Sequence, residues 1–117
     1  MNYQVRQGDV FIRQVPKGTI RGEKQPRENG KIILALGESH THCHAIADKE
    51  TDLFIDGTRK FLEVCLKEGV NVHVDITKGE TTTIPRHFPV PLPQGEHEVI
   101  PQKQWDYMKQ LSQQVRD

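Results

Sequence analysis

One run of residues with strictly alternating polarity most restricts the folds open to this chain. Between positions 70 and 77, the apolar residues Val70, Val72, Val74 and Ile76 alternate with polar ones. Side chains at every second position of a strand point to one face, so the run predicts a half-buried β-strand. Turn dipeptides recur every 10–12 residues, at Asp56-Gly57, Glu68-Gly69 and Lys78-Gly79. That spacing is typical of antiparallel sandwiches and barrels, and we therefore predict an all-β domain, a small antiparallel barrel or roll.

Two segments depart from this pattern of strands and turns. Residues 16–30 are interrupted by prolines, glycines and charged residues, which predicts a long loop or arm. Residues 102–117 place apolar side chains on one helical stripe, formed by Trp105, Met108, Leu111 and Val115. This stripe predicts a C-terminal helix packed on the β-domain, with use as a partner surface as the alternative. A chain of 117 residues suits one domain, so we assign residues 1–117 to a single unit.

The charge balance argues against a dedicated nucleic-acid binder. The chain has 16 basic and 16 acidic residues, whereas such binders are usually basic overall. Residues 1–31 nevertheless hold seven basic and three acidic residues. A basic arm on a mildly acidic body is one interpretation of this asymmetry, and a solvated surface loop is the other.

The first residues and the cysteines suggest a compartment. The chain opens with polar residues rather than with the apolar stretch of a signal peptide. No apolar run approaches the roughly 18 residues that span a membrane. We therefore expect a cytoplasmic protein without a membrane partner, in which Cys43 and Cys65 are reduced thiols.

Three of the six histidines, His40, His42 and His44, stand at every second position of one stretch. On an extended strand they would share a face, and neutral imidazole is the commonest metal ligand among side chains. His40 and His44 would lie about 13 Å apart at about 3.3 Å per residue, whereas a metal–nitrogen bond is only about 2.0–2.1 Å long. The stretch therefore predicts two ligands, and a third has to come from elsewhere in the chain.

His87 is the best candidate for the third ligand. Pro85 and Pro89 stiffen the backbone on both sides of it, which suits a ligand that has to hold its position. His73 is the second candidate, but it alternates with valines and is expected to be exposed if those valines face the core. We interpret His97, which stands between two glutamates, as a surface residue.

Glu38 precedes the histidine stretch and can serve as a ligand, as a hydrogen-bond partner of a ligand, or as a general base. Three histidines with open coordination positions describe a catalytic centre, since structural zinc usually has four protein ligands. The ion would be a divalent transition metal, and the pattern does not distinguish Zn, Fe, Ni or Mn. Hydrogen-bonded or pH-titrating surface histidines are the alternative interpretation.

These positions resemble the two motifs of the cupin superfamily. The first cupin motif has His-x-His after a glycine and a carboxylate a few residues later; the corresponding residues are Gly37, His42, His44 and Asp48. The second has a glycine, five residues, a proline and then a ligand histidine; the corresponding residues are Gly79, Pro85 and His87. The first spacing is one residue shorter than usual, and His87 takes the place of the usual glycine of the second motif. The resemblance implies a cupin-like roll that holds a metal.

Over most of its length the chain also resembles a family of small uncharacterised bacterial and phage proteins. Their pattern runs Gly-Asp-Val, Gly-Glu, His-x-His, His-x-Pro-x-x-Leu-Pro-x-Gly, Glu-Val and Gln. The residues of this chain that match the pattern are Gly8-Asp9-Val10, Gly37-Glu38, His42 and His44, His87 to Gly95, Glu98-Val99 and Gln102. The resemblance implies no activity, but it favours His42, His44 and His87 as the trio, because His40 falls where the family has another residue.

Three functional hypotheses follow. The first is a metal-dependent enzyme for a small-molecule substrate, with His42, His44 and His87 as ligands and Glu38 as base. The second is a non-catalytic binding or assembly module whose histidines hold a structural metal or none. The third and weakest is nucleic-acid binding through the basic arm. A chain this small often builds its pocket with a second copy, so we also expect a homo-oligomer.

Overall fold

The computed structural model of the protein describes residues 3–8, 10–28, 30–36, 42–76 and 89–101. Within these ranges the secondary structure consists of β-strands and turns, without a helix. The strands are β1 (Gln4–Gln7), β2 (Val10–Val15), β3 (Glu23–Lys24), β4 (Ile32–Leu36), β5 (His42–Ile46), β6 (Asp52–Asp56), β7 (Arg59–Val64), β8 (Val70–Ile76), β9 (Val90–Leu92) and β10 (Gly95–Pro101). The predicted all-β class is confirmed.

The strands form two sheets in which every neighbouring pair is antiparallel. One sheet has six strands in the order β1-β2-β10-β7-β6-β3, and the other has four in the order β4-β5-β8-β9. The described strands thus form a sandwich of two open sheets and not a closed barrel. Where β1 and β9 approach each other, the Tyr3 hydroxyl donates to the Pro91 carbonyl, so a side chain joins these two edges.

The hydrophobic core lies between the two sheets. It takes Val10, Ile12, Leu53, Leu62, Val64 and Val99 from the six-stranded sheet, and Ile32, Leu34, Ile46, Val70, Val72 and Leu92 from the four-stranded sheet. In β8, Val70 and Val72 are buried while Asn71 and His73 are exposed, as the alternating pattern predicts. Strands with one apolar face commonly bury that face by packing two sheets against each other.

Glycine turns connect the strands where the sequence predicts them in the described part of the chain. Gly57 and Gly69 have φ angles of 62° and 78°, which L-residues with a side chain rarely adopt. At Gly69, a Cβ atom would also lie 2.2 Å from the carbonyl oxygen of Leu92. This turn therefore requires glycine both for its backbone conformation and for the close approach of the end of β9.

The segment 16–30 follows the edge of the six-stranded sheet. Its residues Glu23–Lys24 form β3, which pairs with Ile55 and Phe54 of β6. Before β3, the N–H groups of Gly18 and Ile20 donate to the carboxylate of Glu96 at 2.6 and 2.9 Å. The predicted loop is thus held by one short strand, by the carboxylate of Glu96 and by Arg27, whose guanidinium donates to the carbonyls of Lys49 and Thr51. The predicted helix 102–117 and the predicted turn at Gly79 lie outside the described residues.

Candidate metal site

His44 lies at the centre of β5, paired with Ala35 of β4 on one side and with Val74 of β8 on the other. Its side chain is buried, with only 1% of its surface exposed. Ile46, two residues further along the strand, belongs to the hydrophobic core. Because strand side chains alternate between faces, His44 faces the interior of the sandwich.

Gln7 reaches His44 from the opposite sheet. Its amide Nε2 donates to the Val72 carbonyl at 2.9 Å, and its Oε1 lies 2.9 Å from Nδ1 of His44. A carbonyl oxygen only accepts, so the Val72 contact identifies the amide nitrogen, and Oε1 is then the acceptor for a proton on Nδ1. In the neutral imidazole of His44 the lone pair consequently lies on Nε2. This is the arrangement in which a ligand histidine is oriented by a second residue while its other nitrogen binds the metal.

The other predicted site residues lie wholly or partly outside the described part of the chain. Glu38, His40 and His87 fall in the segments 37–41 and 77–88, of which nothing is described. The backbone of His42 begins β5 and pairs with Ile76, but its side chain is not described. Among the side chains that the structure does describe, no group of three or more His, Cys, Asp or Glu is arranged to hold a metal ion.

The strand ends around His42 show which chain segments start from this end of the sheet. Strand β4 ends at Leu36, which pairs with Cys43, and β8 ends at Ile76 beside His42. By chain connectivity, the segment with Glu38 follows Leu36, and the segment with His87 follows Ile76. The sheet topology therefore starts both segments from the end of the sheet at which β5 begins.

A cation from the opposite sheet lies next to the strand pair that carries His44. The register of β4 and β5 shifts between Ile33 and Ala35, which leaves Leu34 in a bulge. The ammonium group of Lys60, in β7, donates to the Leu34 carbonyl at 3.0 Å. Bulges free backbone groups from the ladder, and here the Leu34 carbonyl holds a half-buried lysine one residue from Ala35, the β4 partner of His44.

Sequence reasoning did not single out Gln7 or Lys60. Gln7 is one of three glutamines near the amino end, and nothing in its local pattern distinguishes it from Gln4 or Gln14. Lys60 does share its strand face with the core residues Leu62 and Val64. That alternation was a usable signal for a lysine directed between the sheets.

The two remaining described histidines differ in exposure. His73 is exposed, as predicted. The prediction for His97 was wrong, because this residue is fully buried. In β10 it alternates with Glu96 and Glu98 and shares the face of the core residue Val99, so the flanking glutamates mark the opposite face.

Asp48, the carboxylate that the cupin resemblance brought forward, stabilises a turn. Its Oδ2 accepts from the N–H of Glu50 at 3.1 Å and from the hydroxyl of Thr51 at 2.7 Å. Neither Cys43, which is buried, nor Cys65, which is exposed, forms a disulfide, in agreement with the prediction.

Two cavities formed by described residues lie away from His44. One of about 210 Å³ is lined by residues of β1, β2 and β10, including Phe11, Arg13 and Ile100. A wider one of about 520 Å³ is lined by residues that include Gln14, Cys65 and Glu96.

Comparison with known families assigns the chain to one family, and that family has no described activity. The model of the family described as "Domain of unknown function (DUF8820)" matches residues 6–102. The chain belongs to this family. The match runs from β1 to the residue after β10 and includes all the predicted ligands. Neither a curated protein nor a solved structure matches the chain significantly.

The described residues also bear on membrane insertion. None of them lies in a helix that is long and apolar enough to cross a bilayer.

Proposed function

We propose that this protein is a metal-binding β-protein, a metal-dependent enzyme in which His42, His44 and His87 hold a divalent transition metal. Glu38 would act as the general base on a small-molecule substrate. The two-sheet sandwich would then be a cupin-like roll working in the cytoplasm, with oligomerisation completing its pocket. The proposal rests on the donor set, since imidazole suits Zn, Fe and Ni in sites with open positions.

The observation that carries the proposal is the hydrogen bond between Gln7 and His44. A histidine that donates through Nδ1 to a fixed acceptor presents its Nε2 lone pair in a fixed direction. The Val72 carbonyl in turn fixes the acceptor, so three residues from three strands determine the orientation of one ring. Such pre-orientation is of use to a ligand and is not needed to fill a hydrophobic core.

Chain connectivity supports the rest of the site. Glu38 and His87 belong to the segments that follow the ends of β4 and β8, on both sides of the strand that begins with His42. A bound divalent ion would act as a Lewis acid or lower the pKa of a bound water. The chain would contribute the orientation of His44 through Gln7, a base at Glu38, and a nearby cation at Lys60.

The test is a metal analysis of the purified full-length protein. We expect about one equivalent of a transition metal and a rise in Tm when that metal is added to metal-free protein, because binding to the folded state alone stabilises it. The double variant His42→Ala, His44→Ala should lose both effects. His73→Ala, which removes an exposed histidine from the neighbouring strand, is the matched control and should keep them.

Less than about a tenth of an equivalent of metal, together with no thermal shift, would contradict the proposal. In that case the second candidate, a non-catalytic module, gains support from the same geometry. Gln7 and His44 satisfy each other in the interior and connect two sheets, which is also what a structural polar bridge does. A metal-free protein that His44→Ala strongly destabilises would favour this candidate.

A further inference from the structure

The six-stranded sheet has an inner face, which contributes to the core, and an outer face. The two can be separated by alternation along β7 and β10. Leu62, Val64 and Val99 are core residues, so the residues between and beside them point outward. By the strand register, the outer face carries Phe11 of β2, Glu98 and Ile100 of β10, Phe61 of β7 and Phe54 of β6.

The centre of this outer face is buried. Phe61 is 0% exposed, Ile100 is 4% exposed and Glu98 is 6% exposed. Neighbours within a sheet shield the flanks of a side chain but not the end that points away from the sheet. Arginines of the same face cover part of this centre, since the Arg59 guanidinium lies over the Phe61 ring. Burial of outward side chains on two adjacent strands nevertheless favours a further layer on top of them.

Arginines surround this buried centre. Arg13 and Arg59 donate to the two carboxylate oxygens of Glu98 at 2.8 and 2.9 Å, and the Arg59 guanidinium lies 4.9 Å from the centroid of the Phe61 ring. Their side chains are 42% and 49% exposed. A solvent-excluded centre surrounded by half-exposed charged side chains is typical of an interface with another element.

We propose that residues 102–117 of the same chain cover the outer face of the six-stranded sheet. These residues follow directly from Pro101, the last residue of β10, which is the strand that carries Ile100 and Glu98. Their sequence predicts a helix with one apolar stripe, formed by Trp105, Met108, Leu111 and Val115. A helix has to bury such a stripe, and the nearest apolar surface along the chain is this face.

The dimensions of the two surfaces agree. Phe11, Ile100, Phe61 and Phe54 lie on the adjacent strands β2, β10, β7 and β6. Three strand spacings of about 4.8 Å, combined with an offset of two residues (about 6.6 Å) along β10 between Ile100 and the partner of Phe61, place the outermost of them about 16 Å apart. From Trp105 to Val115, a helix rising about 1.5 Å per residue extends about 15 Å. One helix lying across the strands would therefore cover the whole apolar row.

Fluorescence of the full-length protein tests this placement, because Trp105 is the single tryptophan of the chain. We expect its emission in the folded protein to be shifted to shorter wavelength than in urea, and acrylamide to quench it several-fold less. Leu111→Asp should raise the quenching towards the value in urea and lower Tm, with the β-sheet circular dichroism retained. Gln110→Asp changes a neighbouring residue off the stripe and should leave quenching and Tm unchanged.

A second measurement locates the contact and is independent of how well Leu111→Asp folds. Ile100→Ala and Leu111→Ala should lower Tm by less in combination than the sum of their single effects, because contacting residues are not additive. Val72→Ala, in the inner core, should combine additively with Leu111→Ala. The proposal would be overturned if acrylamide quenched Trp105 of the folded wild type as strongly as in urea. It would also be overturned if the effects of Ile100→Ala and Leu111→Ala on Tm were additive. Protection of Trp105 that disappears on dilution, together with dissociation of a dimer in sedimentation, would overturn it in favour of a second copy as the cover.

Discussion

At the scale of single residues, Gln7 joins the two sheets through one side-chain amide. It is 2% exposed, and its two polar atoms contact the Val72 carbonyl and the His44 ring. A buried polar pair of this kind is stable only while both members are satisfied. The same amide therefore determines both the cohesion of the sandwich at this point and the tautomer of the candidate ligand.

Gln7→Leu should destabilise the protein by about 1–3 kcal/mol, since it leaves the Nδ1 of His44 and the Val72 carbonyl without the amide that they contact. If His44 is a ligand, metal affinity should also fall by about 10–100-fold. Urea unfolding of the metal-free protein measures the first effect, and titration with metal measures the second.

Gln14→Leu is the matched control, because within the described part of the chain the Gln14 side chain makes one hydrogen bond, an exposed one to the Gln94 carbonyl. We expect this loss of one exposed side-chain hydrogen bond to change stability by less than about 0.5 kcal/mol. Equal stabilities of the Gln7 and Gln14 variants would show that the amide bridge contributes nothing.

At the scale of elements, β10 organises the six-stranded sheet. It lies between β2 and β7 and places glutamates on the outer face at positions 96 and 98. Glu98 pairs with two arginines of the sheet, whereas Glu96 accepts from two N–H groups of the segment 16–30. The segment that the sequence marks as an arm is therefore anchored near its start by a strand that comes some 76 residues later.

Glu96→Gln should loosen this anchor without unfolding the sandwich. An amide side chain has one accepting oxygen in place of two, so one of the hydrogen bonds from Gly18 and Ile20 is lost. Hydrogen exchange of these two amides should become faster, while the core strands keep their protection. Glu63→Gln, at the paired and exposed position on β7, is the control. Unchanged exchange in Glu96→Gln would contradict the anchoring role.

At the scale of the whole molecule, the burial of His97 links the stability of the fold to pH. Its Nε2 donates to the Pro93 carbonyl at 2.8 Å, and among the described residues its buried Nδ1 has no hydrogen-bond partner. Burial lowers the pKa of His97 below its ordinary value of 6.5, and the hydrogen bond to Pro93 opposes this only in part. The unfolded chain therefore binds the proton more readily than the folded protein does.

The contribution of His97 to the free energy of unfolding should consequently be constant above about pH 7.5. It should decrease as the pH drops below about 6.5. The slope that His97 contributes is at most about 1.4 kcal/mol per pH unit. His97→Gln retains a donor for Pro93 without a titrating group and should flatten the dependence between about pH 5 and 7. His73→Gln, at an exposed position, should not change it. Chemical unfolding at a series of pH values measures this dependence. Identical curves of unfolding free energy against pH for wild type and His97→Gln would refute the role of His97.

The sequence by itself determined the secondary-structure class and much of the strand pattern. Alternation between Val70 and Ile76 and the turns at Gly57 and Gly69 are local properties, written in neighbouring residues, and the structure confirms them for the residues it describes. The same local rules did not distinguish a closed barrel from a sandwich of two open sheets, because closure depends on which edge strands meet. That contact joins residues as far apart as Tyr3 and Pro91.

The tertiary structure decided which face of each strand is inside. Alternation shows that His97 and its two glutamate neighbours lie on opposite faces, but only the packing of the six-stranded sheet against the four-stranded sheet places His97 in the interior. It likewise brought Gln7 to His44 across 37 positions of sequence, a contact that no local spacing encodes. The histidine stretch marked a candidate ligand from residue type and spacing, whereas the tautomer of His44 depends on an amide from the opposite sheet. Hydrogen bonds between distant strands form only once both sheets have packed, and this is why the sequence named the histidine and the fold oriented it.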